Sequence, residues 1–234
     1  TDISLSSKEE DSMRAFSAAE AGIERSLVIG NGVSPTEIGD ATFSSDVSDF
    51  GFAAEKIVYP ISLKSGEIAT FWLSRPEDPS EPVFSGSNVK VCWGSSTTEP
   101  PAVEISVYYL ESGVYKIARS TVDPDASRRS SNFFSTASLN CTIDSDQFEY
   151  YYNVSLPASV SLQFMTVKPL YNTTISHKVG IDVTGYGVLP SQGVKINSDG
   201  SSGNSNRSIE VYELHPVVPP VFMNSLYSSS GISK

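Results

Sequence analysis

The side chains best suited to catalysis or metal binding are few in this chain. Among its 234 residues are two histidines, His177 and His215, and two cysteines, Cys92 and Cys141. A zinc site needs three or four Cys, His or carboxylate ligands, so this supply excludes a His-rich or Cys-based zinc site. The sequence also lacks a Gly-x-Ser-x-Gly nucleophile elbow and a phosphate-binding Gly-Lys-Ser/Thr loop. It therefore predicts no catalytic residue, no cofactor and no metal-ligand set.

Carboxylates offer two weaker chemical alternatives. Glu104 and Glu149 have the residue type that glycosidases use in pairs, but each alternates out of a predicted strand, and a solvated strand face explains both better. Residues 123–125, 144–146 and 197–200 offer oxygen ligands for calcium. A turn in which Asp or Asn bonds its own backbone is the favoured interpretation of all three segments.

The two cysteines form an even pair in strand-like surroundings. Val89–Trp93 surrounds Cys92, and Ser138–Ile143 surrounds Cys141. A bond between them would close a loop of about 50 residues and stabilise the fold by about 4 kcal/mol. We expect a Cys92–Cys141 disulfide, and the alternative is two separate buried thiols.

Charge and composition narrow the classes of partner. The net charge is −11, which argues against nucleic acid and against an anionic membrane surface. Aromatic residues make up 10% of the chain and charged residues only 18%, which indicates a folded, polar-surfaced protein of secreted or cell-surface type. In the segment 148–152, Phe148, Tyr150 and Tyr152 share one face. Core packing is favoured for them, with sugar or partner binding as the alternative.

One helix is predicted, over residues 4–29. Apolar residues recur there in steps of three and four, the period of a helix, at Leu5, Met13, Phe16, Ala19, Ile23 and Leu27. A run of small residues over 15–22 allows close approach to a sheet or to another helix. Gly30-Asn31-Gly32 then ends the helix.

The rest of the chain is predicted to be mostly β. Residues 31–54 form an irregular polar connection, and about ten or eleven strands follow from residue 55, with hairpins over 103–122 and 193–214. We predict an α+β fold that is mostly β, with one N-terminal helix on a large antiparallel β-sandwich-like domain. The boundaries are 1–30 for the helix and 31–234 for the β domain, and the two form a single structural unit.

A ten-residue stretch of the helix resembles a known family. Ala15–Glu24 reads Ala-Phe-Ser-Ala-Ala-Glu-Ala-Gly-Ile-Glu, which is similar to the signature A-F-Y-A-A-E-A-G-I-E of PilX-type minor pilins and related type IV pilin-like proteins. The hairpin 193–214 and the tail 219–228 resemble, more weakly, the end of the β domain in such proteins. The leader motif and early glutamate of the family are absent from this sequence.

The resemblance implies a filament subunit and no enzymatic activity. Its implied partners are other pilin subunits and the inner-membrane assembly platform, with a membrane-anchoring helix preceding Thr1 and a cell-surface or extracellular filament as the location. One side of the helix, with Met13, Phe16, Ile23 and Leu27, is expected to pack on the β domain, and the small residues are expected to face neighbouring subunits. Helix packing and assembly are assigned to Leu5, Met13, Phe16, Ala19, Glu20, Gly22, Ile23 and Leu27.

Three alternatives to this hypothesis stay open. In the first alternative, the helix is an ordinary amphipathic helix that only covers a sheet. In the second, the whole chain is a secreted β-sandwich binding or adhesion module, with carbohydrate as a candidate ligand. In the third, it is an extracellular hydrolase. An apolar segment of about 20 residues before Thr1 would favour the pilin hypothesis, because that is the length of a membrane-spanning helix.

Overall fold

The computed structural model describes residues 2–75 and 84–217, and for residues 2–6 it describes the backbone alone. Within these residues lie two helices, α1 (Asp2–Ile29) and α2 (Ala126–Asn132), and fourteen strands. The strands are β1 (Val33–Ile38), β2 (Ala41–Phe50), β3 (Lys56–Val58), β4 (Ala69–Trp72), β5 (Asn88–Trp93), β6 (Ala102–Glu111), β7 (Val114–Asp123), β8 (Ser135–Thr136), β9 (Ser138–Ile143), β10 (Asp146–Ser155), β11 (Ser161–Leu170), β12 (Val179–Asp182), β13 (Gly193–Ser202) and β14 (Ser205–Leu214).

The strands form three sheets. The helix-backed sheet has the order β1-β2-β13-β14, the disulfide sheet β3-β12-β5-β10-β9, and the hairpin sheet β4-β11-β6-β7-β8. All pairings are antiparallel except the short parallel contact of β7 with β8. The predicted fold class, a mostly-β α+β fold, is confirmed.

The chain divides into two compact units. Among the described residues, the first comprises 2–50 and 191–215, and the second comprises 51–75, 84–190 and 216–217. Helix α1 thus shares its unit with four strands drawn from both ends of the chain. The sequence predicted a helical segment 1–30 and a β domain 31–234 that together form one structural unit. The structure instead divides the chain between residues 50 and 51 and between residues 190 and 191. Among the described residues, no helix combines the length and the apolar character needed to cross a membrane.

In the first unit, α1 docks on the helix-backed sheet through its small residues. Ala15, Ala18 and Ala19 are buried, as is Gly22. A Cβ atom at Gly22 would overlap the hydroxyl of Ser198 on β13 and lie 3.0 Å from the ring of Phe43 on β2. Small side chains are required there because the helix backbone lies close to the strands.

The predicted orientation of α1 is therefore wrong for three residues. Met13, Phe16 and Leu27 are exposed, with 71%, 46% and 45% of their surface accessible, whereas Ile23 is buried at 7% as predicted. The small residues that were expected to face neighbouring subunits occupy the sheet side instead. The helix ends where predicted, with the Gly30 amide donating a 2.8 Å hydrogen bond to the carbonyl of Ser26. The side chain of Leu5 and the tail 219–228 lie outside the described residues.

The segment 31–54, predicted to be irregular, contains the strands β1 and β2 of the first unit. Ser, Thr and Asp occupy most exposed positions of β2, which hides its alternation, while Ala41 and Phe43 point toward the helix and are buried. The predicted hairpin 193–214 is confirmed, with its strands continuing to Ser202 and Ser205. The segment 123–136, predicted to be a loop, holds the short helix α2.

The second unit contains the disulfide sheet and the hairpin sheet. Its buried side chains come from both sheets and include Val91 and Trp93 of β5, Ile105 of β6 and Met165 of β11. The Trp93 indole donates a 2.8 Å hydrogen bond to the carbonyl of Pro101, so its one polar atom is satisfied. The predicted hairpin 103–122 is confirmed as the pair β6–β7.

The predicted Cys92–Cys141 disulfide is confirmed. It joins β5 to β9, which lie on either side of β10 in the sheet, with a Cα–Cα distance of 6.0 Å. Both sulfurs lie in a small apolar cluster with Ile143 and Phe148. A Cβ atom at Gly180 on β12 would lie 2.7 Å from Ile143, so the edge strand β9 curls toward β12 over this cluster.

Candidate functional site

The first candidate surface is the exposed face of α1. At 100° per residue, Met13, Phe16, Glu20, Glu24 and Leu27 fall within one half of the helix surface, opposite the docked small residues. All five are exposed. An amphipathic helix on a sheet normally buries its large apolar residues. This helix buries Ile23 but leaves Met13, Phe16 and Leu27 exposed, so it presents an apolar strip with two carboxylates to its surroundings.

The residues assigned to helix packing and assembly thus divide between two faces. Ala19, Gly22 and Ile23 lie on the side that contacts the sheet, and Met13, Phe16, Glu20 and Leu27 lie on the outward side. We refer to Met13, Phe16, Glu20, Glu24 and Leu27 as the outer helix face. Arg14 borders this face and pairs with Glu10 at 2.6 Å.

The second candidate surface is a polar cleft in the second unit, with a volume of about 420 Å³. It is lined by Lys56, Asn88, Lys90, Asn153, Asp182, Thr184 and Tyr186. Its floor is a row of directly paired residues: Asp182 on β12 pairs with Lys56 on β3 and with Lys90 on β5, and Lys90 pairs with Asn153 on β10. Paired residues in an antiparallel sheet project from the same face, so four strands aim these side chains at one place.

Asp182 lies at the electrostatic centre of the polar cleft. Burial alone would raise the pKa of Asp182, but hydrogen bonds from Thr184 and the charges of Lys90 and Lys56 outweigh it, so its pKa lies below the ordinary value. The amide of Thr184 donates to one carboxylate oxygen at 2.9 Å, and the other oxygen lies 3.5 Å from the Lys90 ammonium. That ammonium also lies 5.8 Å from the ring centre of Tyr151. Asp182 is therefore ionised at neutral pH.

One wall of the polar cleft is the loop that follows β12. Its ends are tied down by the Val183 amide, which donates to the carbonyl of Glu55 at 2.7 Å, and by the Leu189 amide, which donates to the carbonyl of Ala54 at 2.9 Å. Gly185 has φ = 82°, a conformation that side chains disfavour, and this turn places Tyr186 at the cleft edge with about half its surface exposed.

The other residues considered for chemistry are engaged elsewhere. Glu104 and Glu149 lie on strands of different sheets, β6 and β10. Asp123 is buried and accepts hydrogen bonds from Arg128 at 2.7 and 3.0 Å, which leaves it poorly suited to bind calcium. Asp146 pairs with Lys178. Within the part of the chain that the structure describes, no three His, Cys, Asp or Glu side chains gather as a metal site would require.

His177 is fully buried and belongs to the structural core of the second unit. Its Nδ1 accepts a 3.2 Å hydrogen bond from the Ser95 amide, which places the proton of the neutral ring on Nε2. Burial lowers the pKa of His177, and Glu99 acts against that shift. Tyr150, from the tyrosine-rich segment, is buried with its ring centre 6.1 Å from that of Trp93.

Sequence reasoning missed the polar cleft because its floor comes from four strands spread over about 130 residues, and only the strand register brings them together. Lys90 lies in a predicted strand, but nothing near it in sequence points to Asp182 or Lys56.

Comparison with known proteins gives no relative from which to assign a function. No family model matches the chain, and neither the curated proteins nor the solved structures contain a match.

Proposed function

We propose that the chain is a minor pilin-like or pseudopilin-like subunit of a type IV pilus or a related secretion filament, in which α1 is the assembly element. The outer helix face would contact the corresponding helices of neighbouring subunits, and the β strands would face outward for surface or partner contact. The subunit has no catalytic role in this proposal. Its location would be a cell-surface or extracellular filament, reached from the inner membrane through the assembly platform.

The observation that carries the proposal is the inverted arrangement of α1. A helix that only covers its own sheet has no reason to turn Met13, Phe16 and Leu27 outward while burying alanine and glycine. Small residues allow the helix to lie deep against the strands, and the large apolar residues remain available to a second helix. The similarity of Ala15–Glu24 to the pilin signature points to the same kind of partner.

Cysteine cross-linking of the full-length gene product in its own cells tests this proposal. Cys92 and Cys141 are bonded to each other, so neither competes as a free thiol with an added cysteine. We expect Met13→Cys and Phe16→Cys to form dimers with a neighbouring subunit when isolated filaments are treated with a short thiol-to-amine cross-linker. Ser34→Cys, exposed on β1, is the control and should give no dimer. Equal dimer yields from all three positions would contradict a helix-mediated contact.

A charge substitution gives an independent test. Phe16→Glu should abolish filament formation and lower the melting temperature only slightly, because nearly half of the Phe16 surface is exposed in the isolated subunit. Tyr115→Glu, at an exposed aromatic on β7, introduces the same charge away from the helix and should leave assembly intact. Normal assembly of the Phe16→Glu variant would refute the proposed role of the outer helix face.

A second candidate function is a secreted β-sandwich binding module, and the polar cleft is the observation that favours it. The gene sequence upstream of Thr1 distinguishes the two candidates. An apolar segment of about 20 residues there fits the filament subunit, and a plain cleavable signal peptide fits the binding module.

A further inference from the structure

The polar cleft has the size and lining of a small-molecule site and is not used by the proposed filament contact. A volume of about 420 Å³ falls in the range of ligand pockets. Most such pockets have apolar linings, whereas this one is lined by two lysines, two asparagines, an aspartate, a threonine and a tyrosine. A lipid or a flat aromatic ligand would leave those polar groups without partners, at a cost in binding free energy. The lining therefore favours a highly polar ligand.

The hydrogen-bonding groups of the polar cleft match a polyhydroxylated ligand. Asp182 offers only acceptors, the amides of Asn88 and Asn153 offer both donors and acceptors, and the Thr184 hydroxyl, which donates to Asp182, can still accept. Sugar hydroxyls donate and accept at the same oxygen, so a row of carboxylate and amide groups can engage neighbouring hydroxyls in pairs. The exposed ring of Tyr186 at the cleft edge provides an apolar surface for the C–H face of a sugar ring.

The charges of the cleft floor place a second requirement on the ligand, which is a negative charge. The Lys90 ammonium is held 3.5 Å from Asp182. Lys56 flanks the same carboxylate on the other side, yet among the described residues it has no carboxylate within 4.0 Å. The floor thus carries two cations and one anion, which leaves one positive charge uncompensated in a chain of net charge −11. One available cation suits a single carboxylate better than a doubly charged phosphate, which needs several converging donors.

We propose that the polar cleft binds a saccharide that carries a carboxylate, such as a uronic or sialic acid residue. Its carboxylate pairs with Lys56, its hydroxyls bond to Asp182 and to the amides of Asn88 and Asn153, and one ring face packs on Tyr186.

Nuclear magnetic resonance titration of the whole chain tests the site. The probes are trigalacturonic acid and sialyllactose, each paired with its methyl ester. Within each pair the second compound lacks only the carboxylate charge. We expect at least one acidic probe to shift the amide signals of β3, β5 and β12 around the cleft and its neutral partner to bind at least about tenfold more weakly. No shift with either acidic probe at millimolar concentration overturns the proposal, as does binding outside the cleft or equal binding of the neutral partner.

Two variants separate specific recognition from general electrostatic attraction. Lys56→Gln should weaken binding of the acidic probe about tenfold, the loss expected for one charge-assisted hydrogen bond. Lys64→Gln removes an equal charge from an exposed position outside the cleft, and its effect should be below about twofold because exposed charges are screened. Equal weakening by the two substitutions would overturn the assignment.

Two variants distinguish a failure of the saccharide proposal from a failure of the filament proposal. Phe16→Glu is expected to block assembly and to leave saccharide affinity unchanged. Lys56→Gln is expected to reduce saccharide affinity and to leave filament formation intact.

Discussion

The close approach of α1 to the helix-backed sheet can be tested at Gly200 on β13. A methyl group at this position would overlap the carbonyl oxygen of Ala15 and lie 2.5 Å from the amide nitrogen of Ala19. Both obstructing atoms belong to the helix backbone, so no side chain can rotate away and the helix must move outward by about 1–1.5 Å to restore ordinary contact distances near 3.5 Å. Overpacking of this kind costs about 1–3 kcal/mol, and we expect the upper end for Gly200→Ala.

The sign of the effect makes this prediction sharp. Gly200 does not have a positive φ. An alanine that fits such a position usually stabilises a protein by about 0.4–1 kcal/mol, because it reduces the conformational entropy of the unfolded chain. A loss of about 3 kcal/mol would lower the melting temperature of a unit of this size by on the order of 10–20 °C. Circular dichroism of the helical signal reports on α1 directly, because α1 is by far the longer of the two described helices.

Gly39→Ala provides the matched control. Gly39 has φ = +59° and open space around its Cα, so alanine there adds backbone strain of about 1–2 kcal/mol without any clash. If Gly200→Ala is neutral or stabilising, then α1 does not lie against β13 as closely as described, and the reasoning about the small-residue face fails.

Three further predictions concern the second unit. Asp123→Asn should destabilise it by roughly 3 kcal/mol in urea unfolding, because the mostly buried Arg128 then loses its close anionic partner and keeps only the 3.8 Å contact with Asp125. His177 favours the neutral form in the fold, since burial lowers its pKa. Its contribution to stability is therefore complete above the ordinary value of 6.5 and lost as the pH falls below it, and His177→Gln should remove this pH dependence from a series of urea titrations. Replacing Cys92 and Cys141 together by alanine should lower the free energy of unfolding by about 2–4 kcal/mol, measurable by calorimetry, and intact-mass analysis without reductant should find no free thiol in the native chain.

The existence of α1 was predictable from sequence, but its orientation was not. Steps of three and four between apolar residues identify a helix, and the usual assumption is that the largest of them face the core. Here Ala15, Ala18, Ala19 and Gly22 follow the same steps and form the buried face. This second periodicity is visible in the sequence. What the sequence does not contain is the depth at which the helix lies on the strands, which depends on residues such as Gly200 far along the chain.

The strands show a similar division between local and long-range information. The hairpin around Glu111–Gly113 was predictable because its strands alternate and its turn is short. Strand β2 was missed because its exposed positions hold the Ser and Asp residues that elsewhere mark loops, and β1 because it carries Ser34 and Pro35. The floor of the polar cleft, with Lys56, Lys90 and Asp182, depends on the register among strands distant in sequence, and no local pattern specifies it.

The energetic argument for a partner on the outer helix face follows from the same residues. Burying a large apolar side chain completely is worth about 1.5–3 kcal/mol, and Phe16 and Leu27 are already about half covered, so leaving the exposed parts of Met13, Phe16 and Leu27 in water forgoes on the order of 2–5 kcal/mol in the isolated subunit. That amount is a large part of the net stability of a small domain. A subunit whose helix is covered by a neighbouring helix recovers this free energy on association, and Glu20 and Glu24 on the same face limit wrong pairings, because a second copy placed with its carboxylates opposite them is repelled. An exposed apolar strip with carboxylates at set positions thus favours contact in one register over general aggregation.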